Sequence, residues 1–210
     1  MAAQSRHWGE KMKWLVKLMI GAGLGAVLAA GVGAQQQGSE AESLIAAIRV
    51  QDGAKVESIV RSQGAGVLNY RGYSGETPLT VAMTARSGTY VYFLLERGAQ
   101  PNLADKQGDT PLIIASRSGF SEGVNTMLAV RANLEAANRQ GETALILAVQ
   151  RRHAQIVRRL LESGANPDKT DIAAGFSARD YARRDTRNPE LLRMIETIKP
   201  AKKMISGPVR

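Results

Sequence analysis

A chain of 210 residues with a formal net charge of +9, no cysteine and two histidines has a narrow chemical repertoire. Stability through disulfides is excluded, and no cluster of His, Asp and Glu has the spacing of a metal site. A nucleophile–base pair has little to work with, because the histidines are His7, near the N-terminus, and His153.

Arg6, Lys11, Lys13 and Lys17 precede a glycine- and alanine-rich apolar run, Leu18 to Ala34, and Gln35-Gln36-Gln37 follows at once. This is the three-part form of a secretory signal peptide. Val32-Gly33-Ala34 places small residues at the first and third positions before a cut. Residues 1–34 are therefore predicted to be a signal peptide cleaved after Ala34, and residues 35–39 a polar linker. The rival reading keeps the segment as an inner-membrane anchor facing the periplasm, since about 17 apolar residues lie at the lower limit for spanning a bilayer. Gly21 and Gly25 would then be spaced to pack two such helices. The expected home of the exported body is a bacterial periplasm or the exterior, and the lack of cysteine does not contradict it.

Downstream, one period organises the chain. Gly75-Glu76-Thr77-Pro78-Leu79, Gly108-Asp109-Thr110-Pro111-Leu112 and Gly141-Glu142-Thr143-Ala144-Leu145 recur at intervals of 33 residues. Each threonine is suited to cap a helix N-terminus, with Pro78, Pro111 or Ala144 at the first helical position. Gly75, Gly108 and Gly141 suit a tight turn two residues before the cap. Leu79, Ala82 and Met83, and in the next copy Leu112, Ala115 and Ser116, share the buried face of a short first helix. A second helix follows at Val91, Leu94 and Leu95, at Val124, Met127 and Leu128, and at Val157, Leu160 and Leu161. These second helices end at Gly98-Ala99, Arg131-Ala132 and Gly164-Ala165, so Arg131 is expected to strain a turn that glycine closes elsewhere. An N-terminal unit with Leu44, Ile45, Ile48, Val56, Ile59 and Val60 is out of phase by about two residues near Gly64. A degenerate last unit begins at Gly175-Phe176-Ser177, with one residue inserted before it, and its outer helix opens at Asn188-Pro189-Glu190, read as a cap and a first-turn proline.

These segments resemble ankyrin repeats, whose period and T-P-L signature they share. The resemblance implies an all-α solenoid of about five helix–turn–helix units with β-turn fingers. The units fall at about 40–73, 74–106, 107–139, 140–172 and 173–200, followed by a basic tail, 201–210. It also implies a non-catalytic module, without cofactor or metal, that binds another protein. Carried over by register, the fingertips hold Arg71, Tyr73, Ser74 and Glu76, then Lys106, Gln107 and Asp109, then Arg139, Gln140 and Glu142; the groove holds Thr84, Ala85, Arg117, Ser118, Gln150 and Arg151. Tyr73, Lys106, Gln107, Arg117, Arg139, Gln140 and Arg151 are the partner-binding candidates, with Tyr and Arg the residue types that dominate interfaces. Arg117→Glu with Arg151→Glu is expected to leave folding intact and weaken binding. Among exported bacterial ankyrin proteins that the chain resembles, roles include supporting an oxidative-stress enzyme such as catalase and neutralising a secreted toxin.

The body from residue 35 onward holds 24 basic and 18 acidic residues, and the excess gathers toward Arg151, Arg152, Arg158, Arg159, Arg183, Arg184, Arg187 and the tail. This favours an acidic protein patch and a weak contact of the C-terminal end with anionic membrane. No DNA-reading motif is present, so no nucleic-acid partner is expected. His153 is expected to bond backbone in a neighbouring turn, Asp168 and Asp171 to form local turn bonds, and Tyr90, Tyr92 and Phe93 to serve mostly as core and helix-back packing.

Overall fold

The computed structural model describes residues 38–199. The signal or anchor segment, its cleavage site after Ala34 and the tail 201–210 lie outside the described residues. Helix α1 covers 38–49, so residues 38 and 39, expected in a linker, are already helical. It is followed by α2 (Gly53–Gln63), a 3-10 helix (Gly64–Asn69), α3 (Pro78–Thr84), α4 (Gly88–Glu96), α5 (Pro111–Ser118), α6 (Ser121–Ala129), α7 (Ala144–Gln150), α8 (Ala154–Glu162), α9 (Ala178–Arg184) and α10 (Pro189–Thr197). Inner helices α3, α5, α7 and α9 stack in one row and outer helices α4, α6, α8 and α10 in a second, each hairpin meeting its neighbours in the chain. That is the open, nearest-neighbour geometry of a solenoid.

Local chemistry starts each inner helix. The Thr77, Thr110 and Thr143 hydroxyls accept from the backbone N–H of Thr80, Ile113 and Ile146 at 3.1, 3.3 and 3.3 Å. Ser177 does the same for Asp180, whose carboxylate returns a bond to the Ser177 N–H. Each such cap contributes about 1 kcal/mol. The cap expected at Asn188 is a correction: its side chain makes no cap bond, and Pro189 at the first position is what starts α10.

Apolar stripes on the two rows merge into one continuous core. Leu79, Ala82, Met83, Leu112, Ala115, Val91, Leu94, Val124, Met127, Val157, Leu160 and Leu161 are all buried within it. A fully buried aliphatic side chain of this size stabilises by about 1.5–3 kcal/mol over its exposed state. A single hairpin cannot bury its stripe alone, so stability belongs to the stack.

Turn geometry explains where the repeat drifts. The two surplus residues of the first unit fall between Val60 and Asn69, where the 3-10 helix takes them up while Val67 and Leu68 stay buried. The outer-helix ends are left-handed, with φ of 98° at Gly98, 56° at Arg131 and 93° at Gly164. Arg131 thus holds a conformation that costs a residue with a Cβ about 1 kcal/mol or more. The turn between inner and outer helices is left-handed too, at Gln51, Arg86, Gly119 and Arg152, and only one of these four is glycine. Two of the others reach the next unit from that turn. The Arg86 guanidinium donates to the Gly119 carbonyl and lies 5.9 Å from the Phe120 ring, while Arg152 forms a two-point pair with Asp185 at 2.6 and 3.1 Å. A second ladder joins the units: Asn69, Asn102 and Glu135 accept the backbone N–H groups of Gln100, Asn133 and Asn166 at 2.7 to 2.8 Å.

Candidate protein-interaction surface

Each finger is organised by one polar side chain at its base. Asp105 Oδ1 accepts from the N–H groups of Gln107 and Asp109, Asn138 Oδ1 from those of Gln140 and Glu142, and Asp171 Oδ1 from those of Ala174 and Gly175, all between 2.8 and 3.0 Å. The first finger has Gly72 at this register, and there Glu42 of α1 accepts the Tyr73 N–H instead. The inserted residue of the last unit sits inside its finger, which is why Asp171 bonds three and four residues ahead while the other two bond two and four ahead.

Backbone bonds then tie finger to finger. The Lys106 N–H donates to the Gly75 carbonyl at 3.1 Å, that of Arg139 to Gln107 at 3.0 Å, and that of Ile172 to Gln140 at 2.8 Å. Close approach at this ladder demands glycine. A Cβ on Gly141 would stand 2.7 Å from the Ile172 nitrogen, closer than real carbons come, and φ there is 79°.

The ladder sets four residues spaced by 33 in one row along the fingertips: Tyr73, Lys106, Arg139 and Ile172. Tyr73 is 86% and Ile172 77% exposed, and Lys106 and Arg139 are exposed between them. Neither cation has an ion-pair partner among the described residues. Gln107 and Gln140 lie exposed beside them. Ile172 was not among the sequence candidates. The signal that finds it is the period itself, carried one step past Arg139.

Beneath the row the charged groups Asp109 and Arg117 are paired with each other. Asp109 is buried, accepts from Asn138 Nδ2 at 3.1 Å and is paired with Arg117, whose side chain is 36% exposed against 5% for Asp109. Arg117 is therefore held in the groove floor, and its replacement by Glu would set a carboxylate against a buried one. The expectation that such a variant leaves folding intact is corrected on that ground. Arg151, at the end of α7, is exposed and has no ion pair among the described residues, and Gln150 beside it is exposed.

His153 meets its expectation. Its Nε2–H donates to the Arg117 carbonyl at 3.2 Å, and the ring covers Gly119. Asp171 makes the expected local turn bonds and also accepts from the Tyr181 hydroxyl at 2.5 Å. Burial pushes its pKa up, but the bonds from Tyr181 and the finger N–H groups win and hold it below the usual carboxylate value. Asp168 departs from the local pattern: its carboxylate takes two bonds from Arg179, which lower its pKa. Tyr92 is a correction to the core reading. It is 60% exposed, its hydroxyl beside Glu96, while Tyr90 and Phe93 are half-buried. Of the basic C-terminal residues, Arg152 is tied to Asp185, Arg159 to Glu162, Arg183 to Asp180, and Arg184 lies 4.5 Å from the Phe176 ring. Among the described residues no group of three or more His, Asp and Glu could hold a metal ion, and no helix is long and apolar enough to cross a membrane.

Stacked helical hairpins with a ladder of β-turn fingers define the class as a helical-repeat solenoid. A family model for ankyrin repeats in three copies matches residues 43–137 and 85–171, and the chain belongs to the ankyrin-repeat family. Repeats of this family generally mediate binding of protein partners and are generally non-catalytic. No curated protein matches the sequence.

Proposed function

We propose that this protein is an exported, non-catalytic ankyrin module that binds a partner protein through its fingertips and adjoining groove, recognising an acidic patch. One observation carries the reading. Lys106, Arg139 and Arg151 are exposed cations without ion pairs among the described residues, whereas of the fingertip carboxylates Glu76 and Asp109 are occupied by Arg49 and Arg117 and the half-buried Glu142 accepts from the Asn138 amide. A surface whose exposed, unpaired charges are positive attracts negative partners and repels positive ones. The basic run before Leu18 and the small residues before Gln35 support export through a cleaved leader, with the periplasm as destination. Resemblance to exported bacterial ankyrin proteins supports two partner classes alike, an oxidative-stress enzyme such as catalase and a secreted toxin, and a catalase gene or a toxin gene beside this one would decide between them.

Two measurements test this. The exported form is expected to begin at Gln35 on N-terminal sequencing; a retained leader would show the membrane-anchored alternative. Affinity capture of that form, with mass spectrometry of what co-purifies, is expected to yield a partner that Arg139→Glu with Arg151→Glu releases. Retention of every captured protein by that variant would remove the surface assignment.

A further inference from the structure

The spacing and chemistry of the fingertip row say more about the occupant, given the reading just proposed. The inner helices that carry the fingers pack directly against one another, and packed helices lie about 8–10 Å apart. Equivalent tip residues therefore recur at about that interval. A segment in the extended polyproline II conformation advances about 3.1 Å per residue with three residues per turn, so every third side chain faces the same way at intervals of about 9 Å.

We infer that the row Tyr73, Lys106, Arg139 and Ile172 receives an extended, polyproline II segment of a partner protein with an apolar residue, two acidic residues and a second apolar residue at every third position. The two free cations set the acidic pair, and the exposed ring and the exposed aliphatic chain at the ends set the apolar flanks. Gln107 and Gln140 decide for an extended chain over a helix. Each side-chain amide presents both donors and an acceptor, which matches the unpaired backbone N–H and C=O groups of an extended segment. A helix has those groups bonded internally and would offer the glutamines only its side chains. A second copy of this chain does not fit, because antiparallel pairing of two rows would bring Lys106 and Arg139 against each other.

A random dodecapeptide library selected on the full exported chain tests the inference, with the Lys106→Glu, Arg139→Glu double variant selected in parallel. Both substitutions lie on exposed tips, and an unchanged thermal melt checks that the variant is folded. The wild type is expected to enrich peptides with acidic residues three apart between apolar residues, by at least tenfold over acidic pairs at other spacings. The double variant is expected to enrich basic pairs at the same spacing. Acidic pairs seven apart would replace the extended segment by a helix and overturn the inference, as would enrichment with no charge preference. A single-stranded oligonucleotide that binds with the same dependence on Lys106 and Arg139, and displaces the selected peptides, would also overturn it. The broader reading fails separately: it falls if affinity capture yields no partner that depends on the surface, whatever the library selects.

Discussion

Lys106 and Arg139 on the fingertips carry the same charge as Arg117 on α5 and lie within one repeat of it, yet their physical roles are opposite. The tips are exposed and, among the described residues, unpaired; Arg117 is spent neutralising Asp109 in the floor. Position relative to a buried carboxylate, and not residue type, separates a charge available to a partner from one that holds the groove together. The same division recurs in the last unit. Ile172 stands exposed on its finger, while Asp171 one residue earlier is buried under the Tyr181 hydroxyl.

Reversing the floor charge gives the largest expected effect. Arg117→Glu is expected to lower stability by about 2 kcal/mol, less than for a fully buried pair because Arg117 is partly open to solvent. Urea denaturation measures it, and a loss below about 0.5 kcal/mol would place Arg117 with the free tip charges.

Tyr181→Phe removes a hydrogen bond to an ionised, buried carboxylate and is expected to cost about 1.5 kcal/mol at neutral pH. Because the folded-state pKa of Asp171 is depressed, its contribution is present above the ordinary carboxylate value of about 4 and is lost as pH falls through the lower folded value. The gap between wild type and variant should therefore close in acid. A gap constant from neutral to strongly acidic pH would show that the phenol acts through packing alone.

Ser116 sharpens the floor in the other direction. Among the described residues its buried hydroxyl has no hydrogen-bond partner, at a register where the neighbouring units carry Met83 and Val149. Ser116→Ala is expected to be neutral or to stabilise by up to about 1 kcal/mol, read from the thermal midpoint. A clear loss would mean that the hydroxyl is satisfied.

The smallest effect is expected at the rim. Lys106→Glu and Arg139→Glu should each change stability by less than about 0.5 kcal/mol, as for surface positions without partners. A drop as large as that of Arg117→Glu would erase the distinction between rim and floor.

Much of the architecture was legible in the sequence because it is built from short-range chemistry repeated at a fixed interval. Thr77, Thr110 and Thr143 act on N–H groups three residues away, and the positive φ of the turn already calls for glycine before each cap, to which the stack adds the close approach of the next finger. The left-handed residues Gln51, Arg86 and Arg152 were not legible, since the side chains seen there are not those a turn prefers. Two of them are compensated from outside their own turn, by the Gly119 carbonyl and Phe120 ring for Arg86 and by Asp185 for Arg152. The candidate site divided in the same way. Tyr73, Lys106, Gln107, Arg139, Gln140 and Arg151 are exposed where register placed them, whereas the pairing of Arg117 depends on how its side chain meets Asp109 across eight residues of turn and helix.

By itself, then, the chain determined its period, its caps and the stripe each hairpin must bury, because those follow from backbone geometry within a few residues and from the insolubility of apolar faces. Only the tertiary structure decided which charges are free. An ion pair is a property of two side chains brought together by the stack, and the difference between Arg117 and Arg139 is the buried carboxylate that one meets and the other does not.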